Sequence, residues 1–259
     1  MKLVRPVAAL VGVLLFAVAS GARSQAIPEP AASAPAPAAA STRDPEGADE
    51  QRVQLLVEAS RLIAAGHAEG ALAGFIDKVI AEFEAKYAAD PRKIYSARTR
   101  TESLLYLLEA ANDQLDRREA LVLSQTWVTA YYLRGYALVE LKRLPEAQQA
   151  LERAAALAPR NAQVLGELGQ LALRQRNWTK AQGLFERAEA AAQQFAPEAT
   201  KVRELGLALR GQGYVAVEEK RYDDARKFYL RCLEINPKDA FAQAQLRFVE
   251  SAKATPKAQ

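Results

Sequence analysis

The sequence predicts an all-α protein, a solenoid of stacked antiparallel helix pairs ending in a C-terminal capping helix. Three observations predict it. Half of the 259 residues are hydrophobic, largely alanine and leucine, while only 7% are aromatic and no run of Val/Ile/Thr alternation occurs. Such residues lose little freedom on entering a helix. From Asp49 onward apolar residues recur at three- and four-residue spacing, the mark of helices with one buried face. Finally, "LPEAQQALERAAALAP", ending at Pro159, and "RYDDARKFYLRCLEINP", ending at Pro237, share one sparse pattern. Each runs from alanine to a bulky apolar residue four positions on, a small residue three later, and proline five later.

The N-terminal residues stand apart. "MKLVRPVAALVGVLLFAVASGARSQA" places Lys2 and Arg5 before an apolar stretch from Val7 to Ala19, followed by small residues suited to cleavage. This is the layout of a secretory signal over residues 1–26. Its apolar core of 13 residues is short of the roughly 20 that cross a bilayer. A retained anchor is the alternative; no span is expected once the signal is cut. Removal of Lys2, Arg5 and Arg23 leaves 32 basic against 31 acidic residues, so the formal charge of +4 falls to +1. A nucleic-acid partner, which needs a net basic surface, is not expected. The resulting location is periplasmic, with secretion as the alternative. Residues 27–48 are rich in proline and alanine and form neither helix nor strand, since each proline lacks a donor and fixes φ. They read either as a tether that holds the folded part clear of a membrane or as a disordered remnant of the leader.

Residues 49–127 read as helical hairpins. Val53, Leu56, Leu62 and Ile63 form one stripe and Leu72, Phe75, Ile76, Val79 and Ile80 another, with Gly66 and Gly70 bracketing the turn and Asp90-Pro91 closing the second helix. A helix from about Tyr95 to Asp113 and a short one over 117–123 are expected next. His67, the sole histidine, falls in the turn "AAGHAEG" and reads as a solvated turn residue.

Aligned on alanine, the two opening stretches reveal a third copy between them. Ala147, Ala181 and Ala225 are each preceded twelve residues earlier by glycine, at Gly135, Gly169 and Gly213. Each is followed four residues later by Leu151, Phe185 or Tyr229, and Pro159 and Pro237 close the first and third copies. This resembles the tetratricopeptide repeat, whose 34-residue frame runs Trp-x2-Leu-Gly-x2-Tyr, Ala-x3-Phe, Pro. The frame covers 128–161, 162–195 and 206–239, and "APEATKVREL" (196–205) is a ten-residue insertion that should start the next helix about two turns early, near Pro197–Glu219. Arg134 and Gln212 depart from the leucine before glycine, and the second copy lacks its proline. The resemblance implies a right-handed superhelix of helix pairs, small residues where helices cross, and large residues beside those crossings. Residues 52–85 fit the frame loosely and 94–127 poorly. Residues 240–253 form the expected cap, with Phe241, Leu246 and Val249 inward, and 254–259 a disordered tail.

The resemblance also implies that the first helix of each pair lines a concave groove that binds a protein or peptide. Its candidate contacts are Tyr132, Tyr136, Gln170, Arg174, Arg210 and Tyr214. Tyrosine offers apolar area with a hydrogen-bonding tip at low entropic cost. The alternative is that Tyr132 and Tyr136 cover the preceding helices. The variety of this family that clamps a chain-terminal carboxylate carries lysine and asparagine where Tyr132 and Tyr136 stand, so that mode is not expected. Nothing points to catalysis, cofactor or metal. One histidine and one cysteine exclude the usual His/Cys cages and Cys/His pairs, and no nucleophile elbow, phosphate loop or dinucleotide fingerprint occurs. Cys232 occupies the small position of its repeat and reads as core. The expected role is an exported interaction scaffold serving envelope assembly, secretion or quality control. A self-associating structural protein is the alternative, and a cell-wall hydrolase the remote one.

Overall fold

The computed structural model describes residues 47–254; the signal, all but the last two residues of the proline-rich segment and all but the first residue of the expected tail lie outside the described residues. Helix α1 (Ala48–Ala64) turns into α2 (Ala68–Ala71), which continues through a π-helical turn at Leu72–Ile76 into α3 (Asp77–Tyr87). Strand β1 (Lys93–Ser96), helix α4 (Arg100–Asn112) and strand β2 (Ala120–Leu123) follow. Three long pairs come next: α5 (Thr126–Glu140) with α6 (Leu144–Leu157), α7 (Ala162–Arg174) with α8 (Trp178–Phe195), and α9 (Glu198–Glu218) with α10 (Tyr222–Ile235). Helix α11 (Ala240–Ala254) packs on α10 as the cap.

The repeat frame reappears in the backbone. Lys142, Arg176 and Lys220 adopt left-handed φ of 61°, 56° and 60° at the same frame position. At each, two backbone bonds close the first helix, as when Lys142 N–H donates to Val139 and Arg143 N–H to Leu138. Gly66 takes φ 83° with the same pair of bonds to Ile63 and Leu62. Since 66 holds that position in the 52–85 frame, the first hairpin is a fourth, degenerate copy. A seam of rings joins it to the next pair, with Phe83 and Trp127 stacked at 5.2 Å and Tyr87 at 5.7 Å from Trp127.

Glycine in this frame does more than allow helices to cross. A Cβ on Gly135 would lie 2.5 Å from Leu151, on Gly169 2.7 Å from Phe185, and on Gly213 2.7 Å from Tyr229. In every copy the large residue sixteen positions later rests directly on the glycine, rather than beside the crossing as the sequence suggests. Ala147, Ala181 and Ala225 are fully buried at the same seams. Phe185 also meets Gly211, where a Cβ would lie 2.4 Å from its ring, so one side chain is wedged between two glycines of successive repeats.

Two expected helices are corrected. Residues 93–96 and 120–123 are strands, paired in parallel with Lys93 opposite Ala120 and Ser96 opposite Leu123. Short apolar runs such as "KIYS" and "ALVL" suit either state locally, and the partner decides. The helix expected from Tyr95 starts instead at Arg100, where Thr99 accepts the Glu102 backbone N–H and Glu102 in turn accepts that of Arg98. This β1–α4–β2 unit replaces the second hairpin expected within residues 49–127.

The unit is anchored at the start of each first helix. Ser96 donates to the Ser124 carbonyl before α5, Arg160 N–H donates to the Tyr106 hydroxyl before α7, and Arg98 pairs with Glu204 of α9 at 2.7 Å. Arg98, Glu102 and Glu204 are all but sealed from water. Glu204 belongs to the ten-residue insertion, which, as expected, extends α9 at its N-terminus. The two interruptions of the repeat pattern therefore meet each other.

Candidate functional site

The resemblance assigns the candidate positions on α5, α7 and α9 to a concave side, and the structure sorts them by exposure. Tyr132 and Tyr214 are buried, with 8% and 9% of their surface exposed. Arg210 is tied to Asp239 in an ion pair and folds over Gly206. Leu207 fills the space over Gly166, so repeats two and three close against each other there. Tyr132, Arg210 and Tyr214 are thus packing residues. Tyr136 and Gln170 are half-buried and Arg174 is exposed. The accessible part of the wall is the α5–α7 half.

Sequence reasoning missed Glu167 of α7 and Arg203, which approaches it from α9. The half-buried Glu167 carboxyl is pushed up to about 7 by burial, against the pull of Arg174 and Arg203. No ion pair within 4 Å joins Arg203 to Glu167 among the described residues, and Nη2 of Arg203 is buried without a hydrogen-bond partner. Burial raises the Tyr132 hydroxyl, with Glu167 adding to it, and raises that of Tyr136, with Glu140 and Glu167 adding. Tyrosine, carboxylate and guanidinium groups therefore feel one another's charge, while the Tyr132 hydroxyl is hydrogen-bonded to Gln163. A signal existed for Glu167, a charge one turn from Gln163 on an otherwise apolar face, but nothing in the sequence pairs it with Arg203 in the insertion.

The lone cysteine and the lone histidine lie outside this wall. Cys232 is 1% exposed, its thiol pushed up to about 12 chiefly by burial. His67 is exposed in its turn. Among the described residues no cluster of His, Cys, Asp and Glu has the arrangement of a metal site, and no helix is long and apolar enough to cross a membrane.

Family models described as tetratricopeptide repeat match residues 132–197 and 211–239. The chain is a tetratricopeptide-repeat protein. As such it is a protein–protein interaction scaffold. Among solved structures, the first TPR of Spaghetti (RPAP3) bound to an HSP90 peptide is similar at 19% identity and a TM-score of 0.44, covering 49% of this chain and 94% of that one. A comparison with curated proteins returns no match. The matched segments of this tetratricopeptide-repeat protein begin inside α5 and leave out β1–α4–β2 and most of the insertion, the two features that set its concave face apart.

Proposed function

We propose that this tetratricopeptide-repeat protein binds an extended segment of a partner protein across the α5–α7 half of its concave face. The observation that carries the reading is one unmade donor: Nη2 of the half-buried Arg203 is buried without a hydrogen-bond partner, while the half-buried Glu167 feels its charge but makes no ion pair with it. A buried donor left unmade costs about 1–3 kcal/mol, so a ligand that supplies an acceptor there gains what the empty protein lacks. Tyr136 offers a half-buried ring, and Gln170 and Arg174 offer polar contacts one and two turns along. The leader-like N-terminus supports a setting outside the cytoplasm, in envelope assembly, secretion or quality control.

The test is a photo-crosslinker at Gln170 in the native compartment, with identification of the captured protein, alongside the double variant Tyr136→Ala, Arg174→Glu. The expected result is a defined partner lost from the double variant while thermal unfolding is unchanged. An unchanged set of captured proteins overturns this site.

A further inference from the structure

We infer that the protein pairs with a second copy of itself through the outer face of α4, a surface separate from the concave wall. Helix α4 is apolar on two opposite sides. Its inner side, with Tyr106 fully buried and Ala110 5% exposed, covers the sheet, and Tyr95 stacks on Tyr106 at 4.9 Å. Its outer side carries Leu104, Leu107 and Leu108, exposed at 62%, 43% and 60%, and Leu115 just beyond is 99% exposed. Single exposed leucines are ordinary, but these stand within twelve residues, while the other large exposed apolar residue, Val202, stands alone. A helix apolar on both sides is built to be buried on both.

Three features favour a second copy as the cover. The stripe is self-complementary: an antiparallel twofold centred at the level of position 106 sets Leu104 against Leu108 of the second copy and leaves each Leu107 within about two residues of its equivalent along the axis. The helix ends favour the same arrangement. Arg100 sits exposed in the first turn, where the helix dipole disfavours a cation, and no ion pair holds it among the described residues. Antiparallel pairing moves it beside the C-terminal carbonyls and Asp113 of the second copy, reversing the sign. The flanks are otherwise charge-balanced, with Arg160 on Glu109, Lys93 on Asp113 and Arg118 on Asp116, which is not the basic collar an anionic membrane or nucleic acid requires. The four leucines supply roughly 450 Å² per copy, so with flanking residues the pair reaches the roughly 1,200 Å² at which specific interfaces begin.

The test is sedimentation of the full chain at about 1 µM and about 100 µM, a range that brackets typical homodimer affinities. A dimer is expected, and Leu104→Glu with Leu108→Glu should be monomeric at both concentrations with an unchanged melting curve, since both side chains face solvent within one copy. Arg100→Glu, which touches no buried group, should weaken the dimer by about fivefold, and serves if the leucine variant does not fold. Leu107→Cys should form a covalent dimer on mild oxidation, whereas the wild type, with only buried Cys232, should not. A monomeric wild type at both concentrations overturns the inference, as does a dimer that survives the leucine changes or whose affinity Arg100→Glu leaves untouched. Absence of the Leu107 cross-link overturns the twofold register.

Discussion

Replacing Gly211 and Gly183 by alanine, one at a time, makes the same chemical change inside two helices and should move stability in opposite directions. Gly183 lies within α8 and a Cβ there would meet nothing within 4 Å. Alanine should therefore contribute its helix advantage alone, a stabilisation of about 0.5–1 kcal/mol. Gly211 lies within α9 and would gain the same advantage, but its Cβ would sit 2.4–2.5 Å from three atoms of the Phe185 ring. Ordinary contact needs about 1 Å more, and the ring cannot retreat because its other side rests on Gly169, already 2.7 Å from where a Cβ would be. Overpacking of this kind costs about 1–3 kcal/mol, so Gly211→Ala should be destabilising by about 1–2 kcal/mol after the helix gain is subtracted. Denaturant unfolding of both variants with their midpoints compared is the assay. Shrinking the wedge by Phe185→Leu should lower the cost of Gly211→Ala, a coupling that a double-mutant cycle measures. If both glycine variants stabilise alike, the close stacking of repeats two and three on Phe185 is wrong.

Two further outcomes follow from buried groups. Glu167 holds its proton up to about pH 7 when folded, against 4.5 for a freely solvated glutamate, so the folded state binds more protons between those limits and stability falls as pH rises through them. The full difference corresponds to about 3 kcal/mol, reduced to about 1–2 by partial exposure, and Glu167→Gln should remove this slope and stabilise the protein at pH 8; parallel pH profiles of the two proteins would refute it. Cys232, buried and with its thiol pushed up to about 12, should resist a thiol reagent at pH 8 in the native protein and react fully in denaturant; prompt reaction of the native protein would refute its core placement.

The repeats were legible because their determinants are close in sequence. Gly135 and Leu151, Gly169 and Phe185, and Gly213 and Tyr229 are sixteen residues apart, and each contact is made within one helix pair. The fourth copy was harder to see, since only its turn glycine and a few apolar residues keep the frame. The strands differ from the helices expected because Lys93 and Ala120 stabilise each other only as a pair, across 26 residues of intervening chain. Thr99 with Glu102 is a helix-start signal that, given its due weight, would have placed the beginning of α4 correctly.

The candidate site was half legible. Tyr136, Gln170 and Arg174 keep the exposure that the resemblance implies, whereas Tyr132, Arg210 and Tyr214 are absorbed into packing. Arg210 is taken up by Asp239, 29 residues along the chain, and no local pattern foretells that partner.

By itself the sequence determined the helix pairs, their frame, the cap and the absence of familiar catalytic constellations, because periodicity, turn residues and small-to-large contacts act over one or two helices. Only the tertiary structure decided where the interruptions go. Arg98 and Glu204 are 106 residues apart, and their pairing is what binds the β1–α4–β2 unit to the lengthened α9. That one long-range contact accompanies the closing of half of the concave wall and the turning of a leucine face outward, since charges taken out of water must find each other wherever the chain brings them.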